Sequence, residues 1–487
     1  MTMLTHLHSN GSEGKLDLII ESEKTRRFSS VRTIPVGYSN HRLVVATLEC
    51  ARPVISPSDN RLTEPALIKP QRSLKSFACL TASEVERLIK SAPMKTLPVD
   101  RLPISVVKSC SVEFSAIIVA YIANISFQAG RFPSTWKAGQ MALILKKPGL
   151  NTNDFKSFKP ITNLTTLSKL LERLTLARLK PHVVTSPNYS PLQSAYRVAL
   201  STETALVKIV DDILSIVDSG SAVALVSLDI SATFDTISHR KLLAKLEHDF
   251  SIEGVALEWI NSYLSKQTFF MSVGRSSSAV AQMCSGVSQG SVLEPILFTA
   301  YVSPIGRLIE LYGVSYHKYA DNTQLYTDLT ANPNACIDRL ESCSAGLQQW
   351  FCENNILLNS DKSKVCFFST RQKLRHANKP SSIEVTGCCI DMCEKLKTLG
   401  VTLDSALTFE DGVVRSCNFH ISALCHIRRH LTREVANTVA GRIVGARIDY
   451  CNSFFYSASE MYLDKLQRLQ NKLAHIVSNT GARLPLC

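Results

Sequence analysis

Apolar positions change period repeatedly between about residues 132 and 370, and that alternation predicts a mixed α/β chain. Residues 142–145, 222–229 and 365–369 carry short β-prone runs. Residues 167–179, 202–217, 240–246 and 292–311 carry apolar positions at helical spacing, and 314–327 has two Tyr- and Val-rich arms around a turn. The run AVALVSLD at 222–229 is nearly all apolar, so a strand buried on both faces and ending in a carboxylate is expected there. Upstream, 82–90 has helical spacing behind Thr81, a residue suited to the N-cap. The run FSAIIVAYIANISF at 114–127 is too short and too interrupted to span a bilayer and predicts a buried helix. Two strand-like runs, 15–20 and 42–48, open the chain, and the Pro-, Ser- and Asn-rich stretch from 51 to about 70 reads as a linker. The C-terminal region is mostly helical in pattern. Within 462–477, Leu463, Leu466, Leu469, Leu473 and Ile476 form one face, and Gly481 is the expected stop.

Composition narrows the class. At 487 residues a sizeable core is affordable, and 45% hydrophobic with 20% charged residues excludes an intrinsically disordered chain. Lys+Arg 54 against Asp+Glu 41 gives a formal charge of +13, which favours a polyanionic partner such as nucleic acid. Cysteines number 15 but have no regular spacing, and the opening MTMLTHLHSNGSEG is polar. Free thiols in a reducing compartment are therefore expected, not a disulfide framework or a secreted chain. Cys388, Cys389 and Cys393, then Cys417, His420, Cys425 and His426, cluster in sequence but lack paired zinc-site spacing, so they read as plain thiols.

Three segments carry candidate chemistry. Asp229 ends the apolar run, and Asp321-Asn322 sits between the two hairpin arms as a pair suited to a tight turn. Folded together, these elements place Asp229 beside Asp321. Phosphoryl transfer needs acidic oxygens so arranged, to hold two divalent cations about 4 Å apart. Alone, an Asp at a strand end is more often a cap, and an Asp-Asn turn only a turn. The third segment, SGVSQGSVLEP at 285–295, is a Gly- and Ser-rich loop ahead of an apolar helix, in which Gly286 and Gly290 permit close backbone approach to a ligand.

The order LKKPG, FKPITNLTTLSKLLERL, QSAYR, VSLDISATFDTISH, SGVSQGSVLEPILF, YADNTQLY and LNSDKSKVCFFSTRQ, followed by LKTLGVTLDSALTFEDG, RIDYCN and LDKLQRLQNKLAHIV, resembles the reverse transcriptases of LINE-type non-LTR retrotransposons. The resemblance runs from about residue 82 to the end, and GKLDLIIES with GYSNHRLVVATL resembles the last strands of the endonuclease-like domain preceding the polymerase in such elements. It implies a right-hand polymerase, an α+β palm with fingers and a helical thumb. The domains would be an endonuclease-like remnant over 1–50, a linker and helical region over 51–125, fingers and palm over 126–390, and a thumb-like region over 391–487. The implied activity is RNA-directed DNA synthesis with two Mg2+ ions (Mn2+ able to substitute), an RNA template, a DNA primer or target and deoxynucleoside triphosphates. The chain is then expected in the nucleus or cytoplasm, with no membrane partner. Carried onto matching positions, Asp229 and Asp321 would be metal ligands, and Asn322 the third position of the catalytic set. Lys362 would protonate the leaving pyrophosphate, and Phe234 would exclude a 2′-hydroxyl. Gln289 and Gly290 would contact nucleotide and template, and Lys146, Lys147 and Lys159 would neutralise phosphates. Asp235 is expected to be structural.

Four departures qualify the resemblance. Asn322 stands where the family has a second aspartate and removes one negative charge. Lys159 replaces an arginine, exchanging a bidentate clamp for a point charge. Glu294 replaces a glycine, which would strain the helix start if its φ were positive. Asn40 replaces the aspartate expected beside His41, so no endonuclease activity is expected from the remnant.

Overall fold

The computed structural model describes the backbone of residues 2–8, 26–35 and 41–50, and residues 67–479 apart from breaks at 95–96, 98–99, 101, 113–115, 155–156, 232–235, 274–275, 331, 360–361, 377–380, 386, 408–409 and 454–459. The expected run 15–20, most of the expected linker, Asn40, Phe234, Asp235 and Gly481 lie outside the described residues. Two compact units form, one from residues 1–188 and 232–301, the other from 189–231 and 302–487.

In the first unit His41–Cys50 lies between the antiparallel strands Thr2–His8 and Arg26–Pro35. Helix Ala82–Ser91 starts as its sequence predicts. The Thr81 hydroxyl accepts the Glu84 N–H at 3.3 Å and the Glu84 carboxylate accepts the Thr81 N–H at 3.1 Å, so two otherwise orphan donors are satisfied reciprocally. Helix Ala116–Gln128 corrects the expectation of a buried helix. It buries Val119, Ala120, Ala123 and Phe127, but only one flank meets neighbours, and Ile117, Tyr121 and Ile125 stay exposed. Beneath it Phe77, Phe127, Phe132, Trp259 and Tyr263 form an aromatic cluster with mostly edge-on rings. The strand Ala138–Leu145 runs antiparallel to Phe158–Leu164 and parallel to Thr268–Val273.

The expected helix 292–311 is two helices, Glu294–Tyr301 and Ile305–Leu311. Pro304 stands between them, and a proline inside the pattern can neither donate a backbone N–H nor clear the preceding turn.

The second unit is built on a six-stranded mixed sheet. Its order is Ser315–Tyr319, Asn322–Asp328, Val223–Leu228, Lys364–Phe368, Cys388–Cys393, Ser382–Val385. The strand Val223–Leu228, apolar but for Ser227, is near the centre and buried on both faces, as its composition demands. Helix Thr202–Asp218 packs Leu206, Ile209, Val210, Ile213 and Val217 against Val223, Leu225, Tyr326, Cys366 and Phe368. A separate cluster joins Cys417, Ile421, Val444, Ile448, Tyr462, Leu466 and Leu469. In helix Glu460–Ser478 the buried face starts at Tyr462 and not at Leu463, which is exposed. Asn479, at φ +57, takes the left-handed position that ends this helix, two residues before the expected Gly481. Among the described residues no helix is long and apolar enough to cross a membrane.

Candidate active site

Asp229 follows the strand Val223–Leu228 directly. Its carbonyl accepts the Asn359 N–H at 2.9 Å, and the next two residues, Ile230–Ser231, pair with Leu357–Leu358. The end of the strand is therefore held on the segment that leads to Lys362. There the ammonium Nζ lies 3.1 Å from Asp229 Oδ2, with the lysine 64% and the aspartate 25% exposed. An ion pair that exposed is worth only about 0–1 kcal/mol, so another cation can displace it.

The antiparallel register sets Leu228 opposite Thr323, so Asp229 comes level with Asn322 and beside the hairpin turn. That turn differs from the expected Asp-Asn pair. Tyr319 pairs with Asn322, which makes Ala320 and Asp321 the two turn residues and Asn322 the first residue of its strand. Ala320 has φ +55, the positive value a two-residue hairpin needs at this position, and a non-glycine residue pays for it with strain. Asn322 Nδ2 donates to Asp321 Oδ1 at 3.4 Å, an amide donor where a carboxylate would repel.

Gln193 holds the turn in this conformation, and no sequence signal marked it beyond its place in the QSAYR block. Its side chain is buried. Its Oε1 accepts the Ala320 N–H at 2.9 Å and the Ala195 N–H at 3.1 Å, and its Nε2 donates to the Ala320 carbonyl at 3.2 Å. One amide thus serves both backbone groups of the strained residue, as a neighbouring strand would. Gln193→Leu is expected to cost about 2–4 kcal/mol, because buried backbone groups lose their partners. Urea unfolding would measure this, and a loss below about 0.5 kcal/mol would show that the turn does not need Gln193.

Lys146, Lys147, Lys159, Gln289 and Gly290 lie in the first unit. Lys146 and Lys147 follow the strand Ala138–Leu145, and Lys159 lies on Phe158–Leu164, all three exposed. The Gln289 carbonyl accepts the Thr162 N–H at 2.7 Å, which ties the loop to that same strand. Gly290 has φ +103, and a Cβ there would stand 2.9 Å from the Thr162 carbonyl oxygen, so only glycine fits. Glu294 brings no strain: it lies in a helix, and its Oε2 accepts the Gly290 N–H at 2.7 Å. Glu172, fully buried, accepts the Val292 N–H at 2.6 Å and the Ser168 hydroxyl at 3.1 Å. Burial pushes its carboxyl pKa up. Asp229, Asp321, Asn322 and Lys362 therefore belong to one unit; Lys146, Lys147, Lys159, Gln289 and Gly290 belong to the other.

Comparison with known proteins places the chain among polymerases of mobile elements and their relatives by similarity. The chain is 26% identical over 434 residues to the RNA-directed DNA polymerase from mobile element jockey of Drosophila melanogaster, covering 86% of this chain and 46% of the relative. It is 29% identical over 344 residues to the probable RNA-directed DNA polymerase from transposon BS of the same fly, covering 68% and 36%. The chain thus spans less than half the length of these relatives. The solved structure of apo telomerase from Candida tropicalis aligns with 56% of this chain and 54% of its own at 13% identity and a TM-score of 0.38. Residues 144–403 match the family model for reverse transcriptase (RNA-dependent DNA polymerase), a segment that holds Asp229, the hairpin turn, the Gln289–Gly290 loop and Lys362. With more than half of its length matched, the chain belongs to the reverse transcriptase family.

Proposed function

We propose that this chain is the polymerase core of a non-LTR retrotransposon, extending a DNA primer on an RNA template with deoxynucleoside triphosphates, at a rate lowered by Asn322. The observation that carries the reading is the register that brings Asp229 level with Asn322, beside the Ala320–Asp321 turn. In this reading residues 126–390 are fingers and palm, 391–487 a thumb-like region, 51–125 a linker and helical region, and 1–50 the remnant of an endonuclease-like domain.

The donor set fits Mg2+. Two carboxylates, Asp229 and Asp321, with the amide oxygen of Asn322 nearby, offer hard oxygens and no sulfur or nitrogen ligand. Bound there, Mg2+ would lower the pKa of the attacking hydroxyl and offset charge on the leaving phosphate. This chain's own residues do the rest. Asp229 and Asp321 orient the reacting end of the primer. Lys362, already within reach of Asp229, holds a proton at Nζ for the departing pyrophosphate. Phe234 would stand against a 2′-hydroxyl. Gln289 and Gly290 would position the nucleotide and template, and Lys146, Lys147 and Lys159 would meet phosphates.

Asn322 and the Lys362–Asp229 pair favour a second reading, in which the chain binds nucleic acid without synthesis. Primer extension on an RNA template separates the two. The polymerase reading expects slow extension in Mg2+ or Mn2+ that Asp229→Ala abolishes. Salt-dependent RNA binding with no extension under any metal would replace it with the second.

A further inference from the structure

The Cys366 and Cys393 thiols form a pair that catalysis does not use. The strands Lys364–Phe368 and Cys388–Cys393 run parallel, with Cys366 and Cys393 in direct register. Neighbouring strands lie about 4.8 Å apart, within the range of about 4.4–6.8 Å that a disulfide requires between Cα atoms. Residues in register on parallel strands point to the same face, and both sulfurs belong to the core beneath helix Thr202–Asp218. Cys366 is fully buried, while Cys393 is partly open to solvent. Both are free thiols here.

From this geometry we infer that Cys366 and Cys393 are a peroxide-sensitive dithiol that closes to a disulfide between the two strands. Cys393 is the attacking sulfur. A hydrogen bond from the Cys366 thiol, and then the Lys364 ammonium, hold the Cys393 thiol below its ordinary pKa. The same hydrogen bond and burial push Cys366 up. The Cys393 thiolate attacks one peroxide oxygen; an S–O bond forms, the O–O bond breaks, and hydroxide leaves to take a proton as water. The Cys366 sulfur then attacks the Cys393 sulfur; the S–S bond forms, the S–O bond breaks, and hydroxide leaves as water with the Cys366 proton. Two thiols lose two electrons in all, and one peroxide becomes two waters. The exposed thiols differ: Cys388 and Cys389 stand in register with Val385 and Glu384, not with a thiol, and Cys425 lies on the helix Glu410–Ile427.

The inference stands apart from the polymerase reading and is tested without activity. The full chain, reduced and desalted, is treated with hydrogen peroxide equimolar to the chain, then alkylated and digested without reductant. The expected product is a peptide pair joining Cys366 to Cys393, formed at least tenfold faster than oxidation at Cys388, Cys389 or Cys425. In Cys366→Ser, whose resolving thiol is gone, dimedone is expected to label Cys393. Should Cys366→Ser fail to fold, the peptide pair from the unaltered protein remains decisive, and Cys393 is expected to react first there with limiting iodoacetamide at neutral pH. Oxidation that begins at the exposed thiols, or a bridge from Cys393 to Cys388 or Cys389, would overturn the pairing.

Discussion

Asn322→Asp is expected to raise the rate of Mg2+-dependent primer extension by about a thousandfold. A unit charge about 4 Å from a cation is worth roughly 4 kcal/mol at an effective dielectric of about 20, and each 1.4 kcal/mol or so is a factor of ten in rate. The substitution preserves shape but removes the amide N–H that now donates to Asp321 Oδ1. Two carboxylates then face each other across the turn beside Asp229, so the variant without metal is expected to melt lower than the unaltered chain. Adding Mg2+ should recover that loss and produce the larger thermal shift of the two proteins. The shift reads metal binding itself, independently of synthesis. A thermal shift with no gain in extension would move the defect away from residue 322. Fast synthesis by the unaltered protein would show that the third charge is dispensable.

How far the sequence shows this site depends on the range of the interactions that build it. The helices Ala82–Ser91 and Thr202–Asp218 and the strand Val223–Leu228 are legible because local signals suffice: Thr81 and Ser201 cap within three residues, and a short run apolar but for Ser227 suits a strand covered on both faces. The hairpin was legible as a hairpin, but its turn was shifted by one residue. Asp-Asn has turn chemistry, yet the positive φ falls on Ala320, where the Gln193 amide, 127 positions away, supplies both hydrogen bonds. No local rule anticipates a partner that distant. The strands Ser382–Val385, Cys388–Cys393, Lys395–Thr398 and Val401–Asp404 escaped for a related reason. They are only four to six residues long. Ser382–Val385 and Cys388–Cys393 pair at the edge of the six-stranded sheet, and Lys395–Thr398 and Val401–Asp404 pair with each other, so each depends on a partner strand that a short run does not announce. Lys318 escaped because a lysine on a hairpin arm reads as solvent-facing. The strand Ser315–Tyr319 instead buries Tyr316, His317 and Lys318 in succession, so both of its faces are covered.

That burial gives the second large effect: Lys318→Met is expected to stabilise the fold at pH 7 and flatten its pH dependence above neutrality. Lys318 is 1% exposed, and its Nζ donates to the Val302 carbonyl at 2.9 Å. Among the described residues no carboxylate pairs with it. Desolvation pulls its pKa from 10.5 to about 7. At about 1.4 kcal/mol per pH unit the penalty for holding it charged is on the order of 5 kcal/mol. The sign follows from proton counting. Between about pH 7 and 10.5 the folded chain has released the proton while the unfolded chain keeps it, so unfolding takes up a proton and rising pH favours the fold. Below pH 7 both forms hold the proton, and the full penalty stands. His317, pulled down to about 4 by burial, adds stability with rising pH in a separate window between about 4 and 6.5, so the two residues are distinguishable. Methionine keeps the length of the side chain and leaves the Val302 carbonyl without this donor, a loss of about 1–2 kcal/mol. The net gain at pH 7 should then be about 2–4 kcal/mol. Urea midpoints of both proteins at pH 7 and pH 9.5 check it, since the other titrating groups are common to the two chains. Equal pH slopes would mean that the ammonium reaches water and that Lys318 carries no such penalty.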